Sequence, residues 1–417
     1  MSVPAGDGAR PSGAGDEARA GWTVPLAGRR LDVVFLLVLL IGLGVRIQLG
    51  SGRPYVHDEE NTAIPLARTL SFVPGYLNLP LRGENHGALP AYIVRASSAL
   101  FGTSRLGYRG LHVQGGLLAV CLVYAIARQW HGIGAARWAA ALIAFNEYFL
   151  DVSSRATAHV PHLLLACTAI WAVSRFLRTE RPAYLYATGL ALGVAFYAKE
   201  HSALLLPLFF LALLQTSQRR WLLRPRMWVA VALFALCLLP DVVWNLRTDP
   251  EAAAVDYAGQ TVGQATYASH LRRIGGLGLS PYPLMFYARP VVQAASRLTT
   301  GAPLADATPE YQSMNPALGL LLLAGVLATL RRPRGVPDVG RLLLTVFCGI
   351  VLFFTLIRPG SPPGRLDPVS WIWVEVSMFP AVVLAGGWLA GLTGPRRIVV
   401  WGVTIAALVY AARLLAV

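Results

Sequence analysis

The sequence predicts an all-α polytopic membrane protein of about eleven transmembrane helices, with amphipathic helices in a long first outer loop. Three observations predict it. Of 417 residues, 55% are hydrophobic and 14% charged, with a mean hydropathy of +0.53, whereas a soluble domain carries about 25% charged residues. The apolar residues gather into runs that match a bilayer core, about twenty residues or fewer when tightly packed. Basic residues recur in alternate short loops between those runs, the pattern that orients a multi-pass chain.

In chain order, residues 1–28 are rich in Gly, Ala and Pro without apolar periodicity and are expected to be a disordered tail. The run that follows is too long for a signal-peptide core and is expected to remain as an anchor. Apolar runs then fall near Leu31–Gly50, Gly107–Arg128, Ala135–Leu150, Val160–Phe176, Tyr184–Ala198, Ser202–Leu214, Met227–Asn245, Pro316–Leu330, Leu342–Ile357, Ser370–Leu392 and Ile398–Leu415. Two loops on one side are long. One spans residues 51–106 and holds two segments with apolar residues at helical spacing, "HDEENTAIPLARTLSF" and "ALPAYIVRASSALFG". The other, 246–315, is polar and punctuated by Gly and Pro. The expected organisation is a tail (1–28), a first module (29–245), an outer loop (246–315) and C-terminal transmembrane helices (316–417).

Arg29 and Arg30, Arg128 and Arg137, Arg175, Arg178 and Arg181, Arg219 to Arg226, Arg331 to Gly335, and Arg396 and Arg397 all lie on one side of the predicted spans. That side is therefore cytoplasmic, the N-terminus included. The net charge of +15 is almost entirely arginine, and Lys199 is the only lysine. No basic helix or aromatic-basic stripe stands apart from the spans, so nucleic acid is not an expected partner. Cys121, Cys167, Cys237 and Cys348 each fall inside an apolar run without metal-ligand spacing, as inert packing thiols do.

Most acids fall on the opposite, outer face, as do His57, His86, His159, His162, His201 and His270. Just after the first span stands "HDEE", His57 to Glu60. A carboxylate at a water–lipid boundary can serve as a general base. It can equally sit in a solvated turn that caps a helix N-terminus. These four residues alone do not separate the two.

The motifs beyond them do. Asp58-Glu59 is followed by "NHGALPAY" (Asn85 to Tyr92) and "LFGTSRLGYR" (Leu100 to Arg109), then by Ser153–Arg178 and Gly189–Pro207. This succession resembles the integral-membrane glycosyltransferases of the GT-C type that use lipid-phosphate sugars. Protein O-mannosyltransferases and the lipid A aminoarabinose transferase are the most similar. Those families place an acid pair after the first span, then an "HPPL"-like element, then "lfG…R". The resemblance covers the chain to about residue 215; beyond it only the hydrophobic plan is similar.

The resemblance implies a single-base displacement with inversion, in the cytoplasmic (inner) membrane of a bacterium and at its outer face. A sugar would pass from a polyprenyl-phosphate donor to an acceptor hydroxyl, amine or phosphate on a glycan, lipid or protein. Asp58 would be the base and Glu59 its helper. The leaving phosphate needs cations, for which Lys199, Arg82, Arg109, Arg155, Arg358 and Arg365 are candidates. His86, Glu200, His201 and Asp241 are candidates for contacting substrate.

Where some relatives have a second metal-holding acid, this chain has His159 and His162, three apart and on one helix face, with Glu147 and Asp151 shortly before. With Asp58 they form a candidate divalent-metal set of the Zn or Mn kind. Glu375 lies inside a late span and Trp371 and Trp373 fit an interfacial belt. Two other readings stay open. A transporter or flippase of lipid-linked sugars predicts ionisable residues in mid-span and paired broken helices. A catalytically inactive scaffold relative has no need of the Asp58-Glu59 pair.

Overall fold

The computed structural model describes residues 23–26, 29–71, 79–81, 87–247, 254–257, 260–263, 274–277, 279–280, 282–301, 314–331, 337–359 and 371–416. The apolar runs named above fall largely on helices, though Gly107–Arg128 and most of Ala135–Leu150 share a single one, so eleven runs do not give eleven separate spans. The first is α1 (Val33–Gly52). The long first loop then contains a π-helical turn, Glu59–Ala63, that runs into α2 (Ile64–Thr69), followed by α3 (Leu89–Phe101). Next come α4 (Arg105–Ala144), α5 (Glu147–Ser153), α6 (His159–Thr179) and α7 (Pro182–Phe196). A 3₁₀ turn at Glu200–Leu204 leads into α8 (Leu205–Leu214), and α9 is Pro225–Arg247.

The later part contains α10 (Tyr282–Thr300), α11 (Pro316–Leu330), α12 (Asp338–Leu356), a 3₁₀ segment at Trp371–Ser377, α13 (Met378–Ala390) and α14 (Gly394–Ala416). Among the described residues, α1, α4, α6, α9 and α12 are long and apolar enough to cross a membrane. Three short antiparallel strand pairs accompany the helices: Thr23–Leu26 with Arg29–Asp32, Ala254–Tyr257 with Gln260–Gly263, and Ile274–Leu277 with Ile357–Pro359.

The central element is α4, which packs against α1, α3, α6 and α13. Its length arises from two apolar runs joined at Gly132, whose φ of 83° is open to glycine at little cost. The buried face is rich in alanine, including Ala135, Ala136, Ala139 and Ala140. Small residues let backbones approach closely where no hydrophobic effect drives helix association. A methyl group on Gly386 of α13 would lie 2.7 Å from the Ala135 carbonyl oxygen, so that crossing depends on glycine. At the other end Asp32 caps α1, accepting from the Phe35 amide (3.3 Å), from the Tyr124 hydroxyl (2.8 Å) and from Arg137 Nε (3.0 Å). One carboxylate thus ties the first helix to both sides of the α4 break.

The helices of the first loop pack on α4 and not merely beside it. Ser97 Oγ of α3 donates to the Gly107 carbonyl and accepts from the Leu111 amide (3.1 Å). Ile64, Leu66, Ala67, Ala88, Ala91 and Val94 form a small core of their own with Tyr108 and Ala156. Gly87 is the hinge of this arrangement. A Cβ there would lie 2.4 Å from the Tyr197 carbonyl oxygen and 2.5 Å from its Cα, while the Leu89 amide donates to that same oxygen at 3.2 Å. Gly87→Ala is expected to cost about 1–3 kcal/mol through overpacking, read as a fall in thermal midpoint of the purified protein.

The segment 246–315, expected as a polar loop, contains α10. Met285, Phe286 and Tyr287 are fully buried, and a Cβ on Gly319 of α11 would meet the Tyr287 carbonyl oxygen at 1.7 Å. Pro290 and the non-helical Ala288 interrupt the apolar spacing of this helix, which is why periodicity did not reveal it.

Candidate functional site

The two acids of "HDEE" have different surroundings. Glu59 is fully buried and forms a two-point pair with Arg109, Nε to Oε1 at 2.7 Å and Nη2 to Oε2 at 2.6 Å. The Ala156 and Val56 amides also donate to it, at 2.7 and 3.1 Å. Arg109 spends its remaining N–H groups on the carbonyls of Gly50 (2.9 Å), Arg53 (3.0 Å) and Pro54 (3.0 Å). A guanidinium has five N–H donors, and all five are used inside the protein. Asp58, one residue earlier, is half-buried and borders a partly open cavity of about 60 Å³. Its other walls are mostly apolar, among them Leu66, Ala88, Pro90 and Ala91, with Thr62 and Thr157 as hydroxyl donors. Asp58 is the one carboxylate among the described residues lining this cavity.

The cavity wall continues through Thr157 and Ala158 into the N-terminus of α6, where a second cluster begins. Glu375, from the 3₁₀ segment before α13, is its hub. Its Oε1 accepts from Lys199 Nζ (2.9 Å) and faces His162 Nδ1 (3.0 Å). Its Oε2 faces His159 Nδ1 (2.6 Å) and accepts from the Tyr148 hydroxyl. Lys199 Nζ also lies 2.7 Å from His159 Nδ1. All five side chains are buried. A buried carboxylate is tolerable only with a cation and a full set of donors, and Lys199 with three further polar groups supplies both. His159 follows Ala158 of the cavity wall, so the cluster begins one residue beyond the cavity. The cluster thus unites α5, α6, the turn after α7 and the segment before α13.

Sequence reasoning named His159, His162 and Lys199 but assigned no role to Glu375 or Tyr148. Glu375 was visible as an acid inside an apolar run, while Tyr148 carried no signal. Other named residues are placed apart. Arg155 is buried against Asp151, Nη2 to Oδ1 at 2.7 Å, and Arg53 shares that carboxylate. Glu200 and His201 begin the 3₁₀ turn after Lys199. Asp241, on α9 beside Pro240, is buried and accepts from Asn245 Nδ2 at 3.2 Å; it does not line the Asp58 cavity. Arg358 lies on the strand Ile357–Pro359. Arg82, His86 and Arg365 lie outside the described residues.

Glu147 is the first residue of α5, whose N-cap is Asn146, accepting from the Phe149 amide at 3.0 Å; it is buried, 6% exposed, and does not line the Asp58 cavity.

The metal set expected from the sequence, Asp58 with His159 and His162, does not converge on a point. Both imidazoles turn Nδ1 toward Glu375, and Asp58 faces the cavity. The group whose ligand atoms do converge among the described residues is His162, His201 and Glu375, all within 4.8 Å of one another.

Residues 85–244 match the family described as dolichyl-phosphate-mannose-protein mannosyltransferase. No curated protein matches the sequence. Among solved structures, the fold is similar to that of ArnT from Cupriavidus metallidurans bound to undecaprenyl phosphate. The TM-score is 0.61 at 19% identity, over 90% of this chain and 63% of that one. The same protein in its apo state gives 0.57 at 18% identity, over 89% and 62%. The oligosaccharyltransferase of Archaeoglobus fulgidus in complex with Zn and sulfate gives 0.56 at 15% identity, over 91% and 52%. The chain spans less than two thirds of the length of each. Its helical order, its central α4 and the match over residues 85–244 together give it the polytopic membrane fold of the GT-C glycosyltransferases.

Proposed function

We propose that the protein is an inverting glycosyltransferase that moves a sugar from a polyprenyl-phosphate donor to an acceptor at the outer face of a bacterial cytoplasmic membrane. The observation that carries this reading is the contrast between neighbours. Glu59 is consumed by Arg109, while Asp58 borders a partly open cavity whose wall continues into the helix that carries His159 of the buried Lys199 cluster. The cavity offers an apolar wall for a lipid-linked ligand and a carboxylate to receive a proton.

In the reaction, Asp58 takes the proton of the acceptor hydroxyl as its oxygen bonds to the anomeric carbon. The bond from that carbon to the phosphate oxygen breaks on the opposite face, and polyprenyl phosphate departs with the bonding pair. Glu59 acts by position. Its pairing with Arg109 holds the turn from which Asp58 projects, and Arg109 has no N–H left for a phosphate. Lys199 is the cation of the neighbouring cluster, 2.7 Å from His159 Nδ1, the residue that follows Ala158 of the cavity wall. ArnT from Cupriavidus metallidurans, whose fold this chain shares, binds undecaprenyl phosphate, which supports the donor class.

The test is transfer by the purified full-length protein from a panel of polyprenyl-phosphate sugars to glycan, lipid and peptide acceptors. One donor is expected to support turnover with inversion at the anomeric carbon. Retention of configuration, or no transfer from any donor, would refute the assignment.

A further inference from the structure

A groove of about 680 Å³ runs between α8, α11 and α12, against about 60 Å³ at Asp58. Ligand sites commonly occupy about 300–1,000 Å³. The groove exists because α12 packs closely on α8 and only lightly on α11. Leu211 of α8, Leu330 of α11 and Leu352 of α12 line it with exposed apolar side chains. Polar groups gather at one end, where Arg341, Gln215 and Thr345 form the wall. That end is remote from the Glu375 cluster. Helix α8 starts at the turn after Lys199, and Gln215 follows its far end. Along α12, Ile350 and Phe354 share a small hollow with His201, whereas Arg341 lies in the first turn.

Arg341 is a cation with donors to spare. Its guanidinium donates to the Gln215 carbonyl, one use of five N–H groups. Among the described residues no carboxylate pairs with it. Asp338, one turn earlier, accepts instead from the Ser217 amide (3.2 Å) and hydroxyl (2.6 Å).

We propose that this groove holds an anionic phospholipid of the adjoining leaflet, with its phosphate on Arg341 and one acyl chain laid along α12 to Leu352. Three features select that occupant. A basic pocket between transmembrane helices at the membrane boundary is the chemistry that takes an anionic headgroup, and the forked guanidinium matches phosphate oxygens. The apolar walls begin where the polar end stops, so head and chain match the groove in order as well as in kind. Length decides the third point. Helix α12 rises about 16 Å between Arg341 and Leu352, and half of a bilayer core of about 30 Å is about 15 Å. The groove therefore fits a chain that ends near the midplane. Such a lipid would fasten α11 to α8 and α12 where protein contacts are few. The site is separate from Asp58, and the inference does not rest on the proposed sugar transfer.

The test is a lipid titration of the purified full-length protein in detergent, read by native mass spectrometry and by thermal midpoint. The probes are dioleoyl phosphatidylglycerol, dioleoyl phosphatidylcholine, undecaprenyl phosphate and inorganic phosphate. Wild type is expected to retain one phosphatidylglycerol about fivefold or more tightly than phosphatidylcholine, with a higher midpoint that inorganic phosphate does not reproduce. Arg341→Gln is expected to bind both lipids at the phosphatidylcholine level. Arg396→Gln, which removes an exposed arginine outside the groove, should keep the preference. Arg341→Gln also gives up the Gln215 bond, so a second variant leaves that bond intact. Cys348→Trp fills the groove from an exposed position and should weaken both lipids by about tenfold or more.

Equal binding of the two phospholipids by wild type, an equal loss in Arg396→Gln, or unchanged retention by Cys348→Trp would each overturn the proposal. Stabilisation by inorganic phosphate to the same extent would reduce the site to an anion contact and overturn it too. Displacement of phosphatidylglycerol by an equal concentration of undecaprenyl phosphate would give the groove to a polyprenyl chain instead. None of these readouts requires sugar transfer, so failure of the site and failure of the proposed activity are separate outcomes.

Discussion

Asp58→Asn is expected to lower sugar transfer by about 10²- to 10⁴-fold, the contribution of a positioned general base. The reason lies in the surroundings of the side chain. Asp58 is half-buried on a cavity wall, and asparagine keeps its shape while losing the ability to receive a proton. The loss should fall on kcat, because the group acts in the displacement itself and not in holding the donor. His57→Ala and Glu60→Ala serve as controls. Both residues are exposed, and His57 Nδ1 does no more than meet Asn61 at 2.7 Å. Transfer rates for a common donor, with the thermal midpoint of each variant, decide the matter. An equal loss in Glu60→Ala would move the base away from Asp58, and unimpaired transfer by Asp58→Asn would remove it.

The helices were legible because a bilayer imposes a length and a composition that can be read one run at a time. Even the break in α4 at Gly132 was visible, as Arg128 and Arg137 flanking an interruption between two apolar runs. His159, His162 and Lys199 were legible for the opposite reason. Ionisable residues are costly in apolar surroundings and seldom sit there without a partner.

The partners themselves were not legible. Glu375 lies 176 positions from Lys199 and 213 from His162, and no local pattern encodes a contact at that separation. The resemblance to the GT-C enzymes put Asp58 and Glu59 together as an acid pair, yet only the fold shows that Arg109, 50 positions on, takes Glu59 for itself. For the same reason Arg109 was counted among phosphate-binding cations, although the packing of α4 against the end of α1 turns its guanidinium toward three backbone carbonyls. Helix α10 escaped for a different cause. Its buried residues gather at Pro283 and from Met285 to Ala288, too short a stretch to set a period before Pro290 breaks it.

Glu59→Ala is expected to be the most destabilising single change at this face of the molecule, at about 3–5 kcal/mol, the usual cost of breaking a buried ion pair from one side. Neither Glu59 nor Arg109 has side-chain exposure, so water cannot replace what is lost. The guanidinium would keep its three carbonyl bonds but carry an uncompensated charge. The Ala156 and Val56 amides would lose their acceptor as well. Glu59→Gln should cost less, because one amide oxygen can still accept from Arg109 or Ala156, though not from both with the charge that balances the guanidinium.

Arg109→Met alone should be comparably damaging, since it strands the carboxylate and frees the carbonyls of Gly50, Arg53 and Pro54. Combined with Glu59→Ala it should cost less than the two single changes added together, because neither buried charge is then left without the other. Thermal unfolding of the four proteins of this cycle in one detergent measures the coupling. Strict additivity would mean that the pair does not hold the turn together, and the positioning role given to Glu59 would fall with it. Activity completes the comparison. Glu59→Gln that remains folded should transfer sugar more slowly through displacement of Asp58, whereas Asp58→Asn should lose about 10²- to 10⁴-fold through the base itself. Two adjacent acids would then be separated by experiment as they are by their surroundings, one holding the turn and the other facing the cavity.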